Sequence, residues 1–573
     1  MIRLHPQVGL SFALVASCAA ASACTLEIVD TLVGTNASHA DGSGAVDSGE
    51  TGEGGSLDDG GGDEFSEGGE GNSSPELPLF DVGDGGEVQV SSCEFAAEFP
   101  SHIGCEFYGL DIDGPGLFDY EPFGFVIINP LLEPVEARLE RYIGGSWTLV
   151  NSGLVDGEGH LVFSPVNNEA KGTGIHPSAS LRITSEQPII VVQAHPVTGT
   201  AISASATMLQ PSTAWAADAP VAGWRTHEGV GERSFLGVIS RTPGTTVTVA
   251  PTFGLANPPA QWADNWFDIG NDGSLELIMP VEPGELLRLD ALAINAAEVD
   301  YGTSGSRVAA NPEHLISLFS AHTCAAIPDY DGSCGHMQEQ LSAALVGTRF
   351  VAPRLVASTN PEELLEPNPQ APLVHERTMI QVVATEPATE VRFSFMHNGA
   401  AALFDVVIID PDQPYAVYVS DRDLAVVSDK PIIAAAYMTN PKLTKLGSPS
   451  MVQLAPVEQW TGHHWVWAPA GFETHLLVSA SATASVEVEG LDPINPQPSA
   501  TLLELSSVAQ GGPEPGPEDD QNWAIRRFSV APGIHRVESS GPASVVVAGW
   551  RSADGYAYLG GWGPSFADLG PEG

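Results

Sequence analysis

Four times the chain returns to one short phrase: TSEQPIIVVQAHP, AANPEHLISLFSAHT, VSDKPIIAAAYMTNP and ESSGPASVVVAGWRS. Each has a polar lead, then Pro188, Pro312, Pro431 or Pro542, then an apolar run. The prolines stand 124, 119 and 111 residues apart. A proline fits the opening of a strand, because the first residue need not donate to the ladder. The runs Ile189–Val192, Leu315–Phe319, Ile432–Ala436 and Val545–Ala548 are too short for an ordinary helix and suit buried strands. Their spacing is that of one sandwich domain, so the chain reads as successive β units.

Two further phrases recur between the prolines. SATMLQPSTAW (Ser205 to Trp215), HMQEQLSAALVG (His336 to Gly347) and SMVQLAPVEQW (Ser450 to Trp460) share a Met, a Gln and a Leu. TPGTTVTVAP, TEPATEVRFSF and SATASVEVEG alternate apolar and polar residues after a turn. Val247 and Val249 point one way and Thr246 and Thr248 the other, with the same period at Val391, Phe393 and Phe395 and at Val486 and Val488. Such a strand has one buried and one wet face. VEARLERY (Val135 to Tyr142) has the same pattern.

At 573 residues the chain exceeds one compact core. Its formal charge of −50, from 22 Lys and Arg against 72 Asp and Glu, excludes nucleic acid as partner and disfavours docking on anionic lipid through protein charge. We divide it into a signal peptide (1–17), an acidic linker (18–90) and β units over 91–260, 261–398 and 399–573, the last with a partial fourth repeat.

The N-terminus carries one Arg in MIRLHPQ, a short apolar core in VGLSFALVAS, then small residues and Cys. That is the pattern of an export signal, too short to span a membrane. Val15-Ala16-Ser17-Cys18 has the form of a bacterial lipobox, and Ala21-Ser22-Ala23-Cys24 has a weaker one that is also a good site for ordinary signal peptidase, so we expect an outer-membrane or cell-surface lipoprotein acylated on Cys18 or Cys24, with a secreted protein as the alternative. From Asn36 to about Val90 the chain is mostly Gly, Ser, Asp and Glu. Such a composition cannot offset its ordering entropy, and we read a disordered tether spanning roughly 40 Å. Four cysteines remain: Cys93, Cys105, Cys324 and Cys334. Export and even number favour disulfides, and proximity pairs Cys93 with Cys105 and Cys324 with Cys334. Zinc is the rival, without a C-x-x-C pair to support it.

The segment HTCAAIPDYDGSCGHMQEQL resembles a signature of the IgGFc-binding protein N-terminal domain family, a Cys-bounded loop leading into C-D-H-[LM]-x-E-Q-L. Here the run is Cys334-Gly335-His336-Met337-Gln338-Glu339-Gln340-Leu341, with Gly335 where the family usually has Asp. CEFYGLDID, FGFVIINP, QPIIVVQAHP, SASATMLQP and VISRTPGTTVTVAPT are similar to other family phrases, in family order, over about Cys93 to Gly561. The resemblance implies an extracellular β-rich binding or adhesion region, often lipid-anchored in bacterial members. It singles out His336, Glu339, Gln340 and Leu341 and does not imply that this chain binds antibody.

Motifs of catalysis are missing: there is no Gly-x-Ser-x-Gly elbow, Walker loop, HExxH or dinucleotide fingerprint. His336 and Glu339, three apart, have the spacing of ligands on one helical face, but no third ligand is in view. Asp111–Gly114 and Asp329–Gly332 resemble the openings of calcium loops without the closing Glu, and read as turns. Trp465 and Trp467 share a strand face, for packing or for stacking on a glycan. We expect an all-β protein of tandem sandwich-like units, with a four-unit propeller as the alternative. We expect a non-catalytic surface binding protein without cofactor or metal. Its partner would be a protein or glycan at the cell surface, and a membrane would be met only through the lipid. A secreted hydrolase of polysaccharide is the alternative function.

Overall fold

The structure is a computed structural model. It describes residues 90 and 92–563, with breaks at 115–121, 166–168, 198–203, 227–232, 269–273, 293–301, 329–333, 356–357, 360–372, 375–376, 398–399, 420–421, 441–446, 494–502, 505–521 and 553. The expected signal peptide, Cys18, Cys24 and all but the last residue of the acidic linker lie outside the described residues. All of these residues belong to one compact unit, Leu79–Gly573.

After a short helix, α1 (Cys93–Glu98), the chain is built of strands. The first unit holds β1 (Gly104–Leu110), β2 (Gly124–Ile128), β3 (Val135–Ile143), β4 (Ser146–Val155), β5 (His160–Phe163), β6 (Gly174–His176), which is lent to the inner sheet of the second unit, β7 (Ser180–His195) and β8 (Ser205–Met208). The second holds β9 (Asp218–Pro220), β10 (Ser234–Ser240), β11 (Thr245–Ala250), β12 (Trp266–Phe267), β13 (Glu276–Val281), β14 (Leu286–Asp290), β15 (Arg307–Ala310), β16 (Ile316–Ala325) and β17 (Gly335–Leu341). The third holds β18 (Gly347–Ala352), β19 (Ser358–Thr359), β20 (Leu373–Val374), β21 (Thr378–Ala384), β22 (Thr389–His397), β23 (Ala400–Ile409), β24 (Tyr415–Val419), β25 (Leu424–Met438) and β26 (Ser450–Gln453). The fourth holds β27 (Thr461–Ala468), β28 (Glu473–Ser481), β29 (Val486–Val488), β30 (Leu503–Glu504), β31 (Asn522–Val530), β32 (Gly533–Arg551) and β33 (Asp554–Leu559).

Every unit repeats one pairing scheme around its proline phrase. β7 shows it. Its first half, Ser180–Ser185, pairs with β1 and β3, and its second half, from Ile189, pairs with β2 and β8. One long strand thus serves two sheets of a sandwich, an outer one (β1, β7, β3, β4) and an inner one (β8, β7, β2, β5). Pro188 sits at the crossing, where the register to β1 jumps from Gly104–Ile189 to Glu106–Thr184. β25 crosses at Pro431 and β32 at Pro542 in the same way. In the second unit the strand breaks at Pro312 into β15 and β16, which serve the outer and inner sheets. The expectation that proline opens a strand is therefore corrected: in three units it lies inside a continuous one. The physical reason is the bulge. Strands that change sheets bend there and leave ladder positions unused, so a residue without an N–H loses nothing.

The apolar runs after the prolines are buried, apart from half-buried Leu315. They are apolar at every position but Ser317 because both faces of each inner sheet are covered. Phe125, Ile127, Ile189 and Val191 point into the first unit's own core. Val126, Ile128, Ile190 and Val192 point instead into the core of the fourth unit. Phe235, Ile239 and Phe319 of the second unit complete the first unit's core. Met379, Val383 and Ile433 of the third complete the second's, and Leu477, Val546 and Ala548 of the fourth complete the third's. The third strands of the units alternate as expected. Val135, Ala137 and Leu139 are buried between exposed Glu136 and Arg138, and Val247 and Val249 between half-buried threonines.

The boundaries expected at 260/261 and 398/399 fall between the paired strands β11 and β13 and between the paired strands β22 and β23. The apolar run after the proline falls at the next-to-last strand of each unit, β7, β16, β25 or β32. The fourth proline phrase lies among the strands β27 to β33.

Candidate functional site

The family-like run lies in β17, the last strand of the second unit. The four last strands β8, β17, β26 and β33 pack one against the next and back to the first, forming a central hub. Polar side chains fasten each to its neighbour. Gln193 Nε2 donates to Gln338 Oε1 at 2.7 Å, Gln340 N–H to Thr207 Oγ1 at 3.0 Å and Gln210 N–H to Gln340 Oε1 at 2.6 Å. Those bonds join the first unit to the second. Ser342 N–H donates to Gln453 Oε1 at 2.8 Å and Gln453 N–H to Glu339 Oε1 at 2.9 Å, joining the second to the third. Ala557 N–H donates to Ser450 Oγ at 2.8 Å, joining third to fourth. The circle closes where Trp562 Nε1–H donates to Gln210 Oε1 and Ala204 N–H to Asp554 Oδ1, both at 2.5 Å. His102 N–H adds a bond to Trp562 O at 3.1 Å, so residues 460 positions apart meet. The Met-Gln-Leu phrases are thus the hub, with Gln210, Gln340 and Gln453 as its inter-unit acceptors.

This explains the residues singled out in sequence. His336, Glu339, Gln340 and Leu341 are all buried. β17 is a strand, so residues three apart point to opposite faces. The helical-face reading of His336 and Glu339 is corrected accordingly. The His336 Nδ1 lies 2.5 Å from Ser205 Oγ, and its ring lies 4.9 Å from that of His195. Glu339 meets Gln453 instead. Burial lowers His336 well below the ordinary histidine pKa, with His195 and His322 adding to it, so the ring is neutral. Burial pushes the Glu339 carboxyl up to about 8, opposed by the bond from Gln453 N–H, so it is protonated at neutral pH. Ser205 and His336 have the spacing of a nucleophile and its base, but at 2 % and 0 % exposure neither meets a substrate.

The two disulfides are formed as expected. Cys93–Cys105 ties α1 to β1, and Cys324–Cys334 ties the end of β16 to the start of the signature strand. Asp113 pairs with Arg288, which also holds Asp290 and stacks on Phe235, so the first calcium-like turn is an ion-pair site. Asp329–Gly332 lies outside the described residues. Among the described residues no group of three or more His, Cys, Asp or Glu is arranged for a metal. Trp467 is buried with the Tyr558 hydroxyl 2.8 Å from its N, and Arg536 lies over Trp465, which favours packing over a glycan platform.

Sequence reasoning missed a buried triad between the third and fourth units. Asp423 receives Arg527 Nη2 at 2.6 Å and Arg354 Nε at 3.3 Å. Burial opposes its charge, yet Arg527 and Arg354 outweigh that and hold the carboxyl well below the usual range. No pattern in the sequence links these three residues: Arg354 follows β18, Asp423 precedes β25 and Arg527 lies in β31 of the fourth unit.

No helix among the described residues is long and apolar enough to cross a membrane. Among solved structures, the chain is similar to a tetra-tandem repeat in the extending region of a large adhesion protein (8 % identity, covering 80 % of this chain and 99 % of that one, TM-score 0.09). It is also similar to the native conformation of the E. coli alpha-2-macroglobulin (8 % identity, covering 80 % of this chain and 39 % of that one, TM-score 0.11). At those scores neither carries an argument. None of the curated proteins matches. The family model described as IgGFc binding protein matches residues 205–549, from the last strand of the first unit to the long strand of the fourth. That span holds three of the four proline phrases, all three Met-Gln-Leu phrases and most of the hub. On this match over more than half of its length, the chain belongs to the IgGFc-binding protein family.

Proposed function

We propose that this is an exported, non-catalytic binding protein of the cell surface, anchored by an acylated Cys18 (or Cys24) and held off the membrane by its acidic linker. Its ligand is a protein or a glycan, met by the outer surface of the β body. One observation carries this reading: the reactive-looking side chains of the family-like run are spent on joining their unit to the first and third. The remaining surface is strands and loops, suited to recognition. Family membership and the two disulfides support an extracellular binding role.

The test uses the full chain. Labelling with a fatty-acid analogue is expected to mark the wild type and not the Cys18→Ser, Cys24→Ser variant. The purified protein is then applied to an array of glycans, matrix proteins and immunoglobulin Fc, with saturable binding to at least one class expected. An unlabelled, freely secreted wild type removes the anchor. Turnover of a polysaccharide, with no retained ligand, replaces binding by hydrolysis.

A further inference from the structure

In the first three units the outer sheet runs on to a further strand, β4, β13 or β23, and the units treat that edge differently. In the second unit the edge strand is β13, and the chain covers it itself. A helical turn over Ala260–Asn265 leads into β12, which pairs antiparallel with β13 (Trp266 with Leu277, Phe267 with Glu276). Asn265 Nδ2 donates to Ile278 O at 3.0 Å, and Trp262 is buried beneath the turn. In the first and third units the equivalent strands, β4 and β23, are also last in their sheets, with no strand paired outside them among the described residues.

These two edges lack the guards of proline and of an outward charge, though each carries one bulge, at Val150 of β4 and Phe404 of β23. Residues 144–155, GGSWTLVNSGLV, contain no charge and no proline, in a chain of net charge −50. Leu149 and Leu154 of β4 are 56 % and 63 % exposed, and Leu403 and Ile408 of β23 are 63 % and 67 % exposed. The one charged residue of β23, Asp405, is turned to its own neighbours, accepting from Val406 N–H and the Tyr415 hydroxyl. Natural edge strands are normally blunted by charge, proline, bulges or a covering segment. Past its bulge each strand leaves a five-residue stretch of edge, Asn151–Val155 on β4 and Asp405–Ile409 on β23, as a template for strand addition, in which backbone bonds give affinity and alternate side chains give specificity.

We propose that the outer edges of β4 and β23 each accept an extended, apolar strand of a partner protein, paired antiparallel as Trp266–Phe267 is on β13. The second unit shows the chemistry of the occupant: an aromatic-bearing strand with a side-chain amide reaching the edge carbonyls. This deepens the binding reading above and rests on it.

The probe is a synthetic peptide, AQWADNWFD, the sequence of residues 260–268. Titrated against the full chain, it is expected to saturate at two peptides per chain and to slow amide hydrogen exchange in 146–155 and 400–409. The Leu149→Lys, Leu154→Lys variant binds one peptide. Adding Leu403→Lys and Ile408→Lys removes the other, while the unchanged melting temperature of both variants shows them folded. No saturable binding, protection elsewhere, or binding unaffected by the lysines overturns the proposal. So does self-association of the wild type that the lysines abolish, since a second copy would then be the occupant. The two readings fail separately. An array ligand held equally by the four-lysine variant keeps the binding reading and removes the edges. Peptide at the edges with no array ligand does the reverse.

Discussion

Glu339 makes the hub sensitive to alkali, and the sign follows from its position. In the folded chain burial raises its carboxyl from 4.5 to about 8. In the unfolded chain it ionises at its ordinary value. Between those limits the native state holds a proton that the unfolded state has lost, so stability falls as pH rises, by about 1.4 kcal/mol per pH unit. Its full contribution is present below pH 4.5, and up to about 5 kcal/mol is gone once pH has passed 8. Glu339→Gln keeps an oxygen for Gln453 N–H and cannot ionise. Urea denaturation of wild type and variant at intervals from pH 5 to 9 is the assay. The difference in stability should move toward the variant as pH rises to about 8 and then level off. Every other titrating group cancels in that difference. A difference that stays constant across the range would mean that Glu339 is ionised in the folded protein, and the reasoning from burial would be wrong.

Four other outcomes are expected. Asp423→Asn leaves Arg354 and Arg527 buried without their counter-charge and should cost roughly 3–5 kcal/mol, whereas Glu136→Gln, at an exposed pair, should cost less than about 1 kcal/mol; thermal melts of both compare them. Ile190→Ala and Ile433→Ala, at the covered faces of inner sheets, should each cost roughly 2–5 kcal/mol in urea titrations, and Thr246→Ala much less. His102 is lowered to about 3 by burial, so it is neutral when folded and charges when unfolded; stability present above pH 6.5 is lost as pH falls toward 3, and His102→Gln should flatten that acid limb by about 1.4 kcal/mol per pH unit. Replacing Cys324 and Cys334 with Ser opens a ten-residue span beside the hub and should lower stability by roughly 2–3 kcal/mol.

The repeat was legible because burial leaves a compositional trace. Ile189–Val192 is apolar at every position since a neighbouring unit covers its second face, and Val247 and Val249 alternate with threonines since water covers theirs. The disulfides were legible from spacing. What a proline does inside β7 was not: the crossing between sheets depends on which strands lie opposite, and that is a property of pairing. The hub was half legible. The Met-Gln-Leu phrases stood out, but a glutamine whose oxygen accepts from the next unit's backbone looks in sequence like any other. His336 and Glu339 misled for the opposite reason, since ligand-like residues three apart mean one thing on a helix and another on a strand.

Why the chain closes on itself follows from the faces of its inner sheets. Each sandwich buries one face of its inner sheet internally and leaves the other apolar. In an open row of four, that face would be covered in three units by a neighbour, and the first unit would present Val126, Ile128, Ile190 and Val192 to water. Repeat arrays usually meet this problem with a polar capping unit. Here the fourth unit returns to the first, and those four residues become part of its core. The polar hub then fixes the order of closure, because apolar faces alone would tolerate a slip between units, while Gln340 and Gln453 each have one backbone N–H to meet and Gln210 the indole N–H of Trp562.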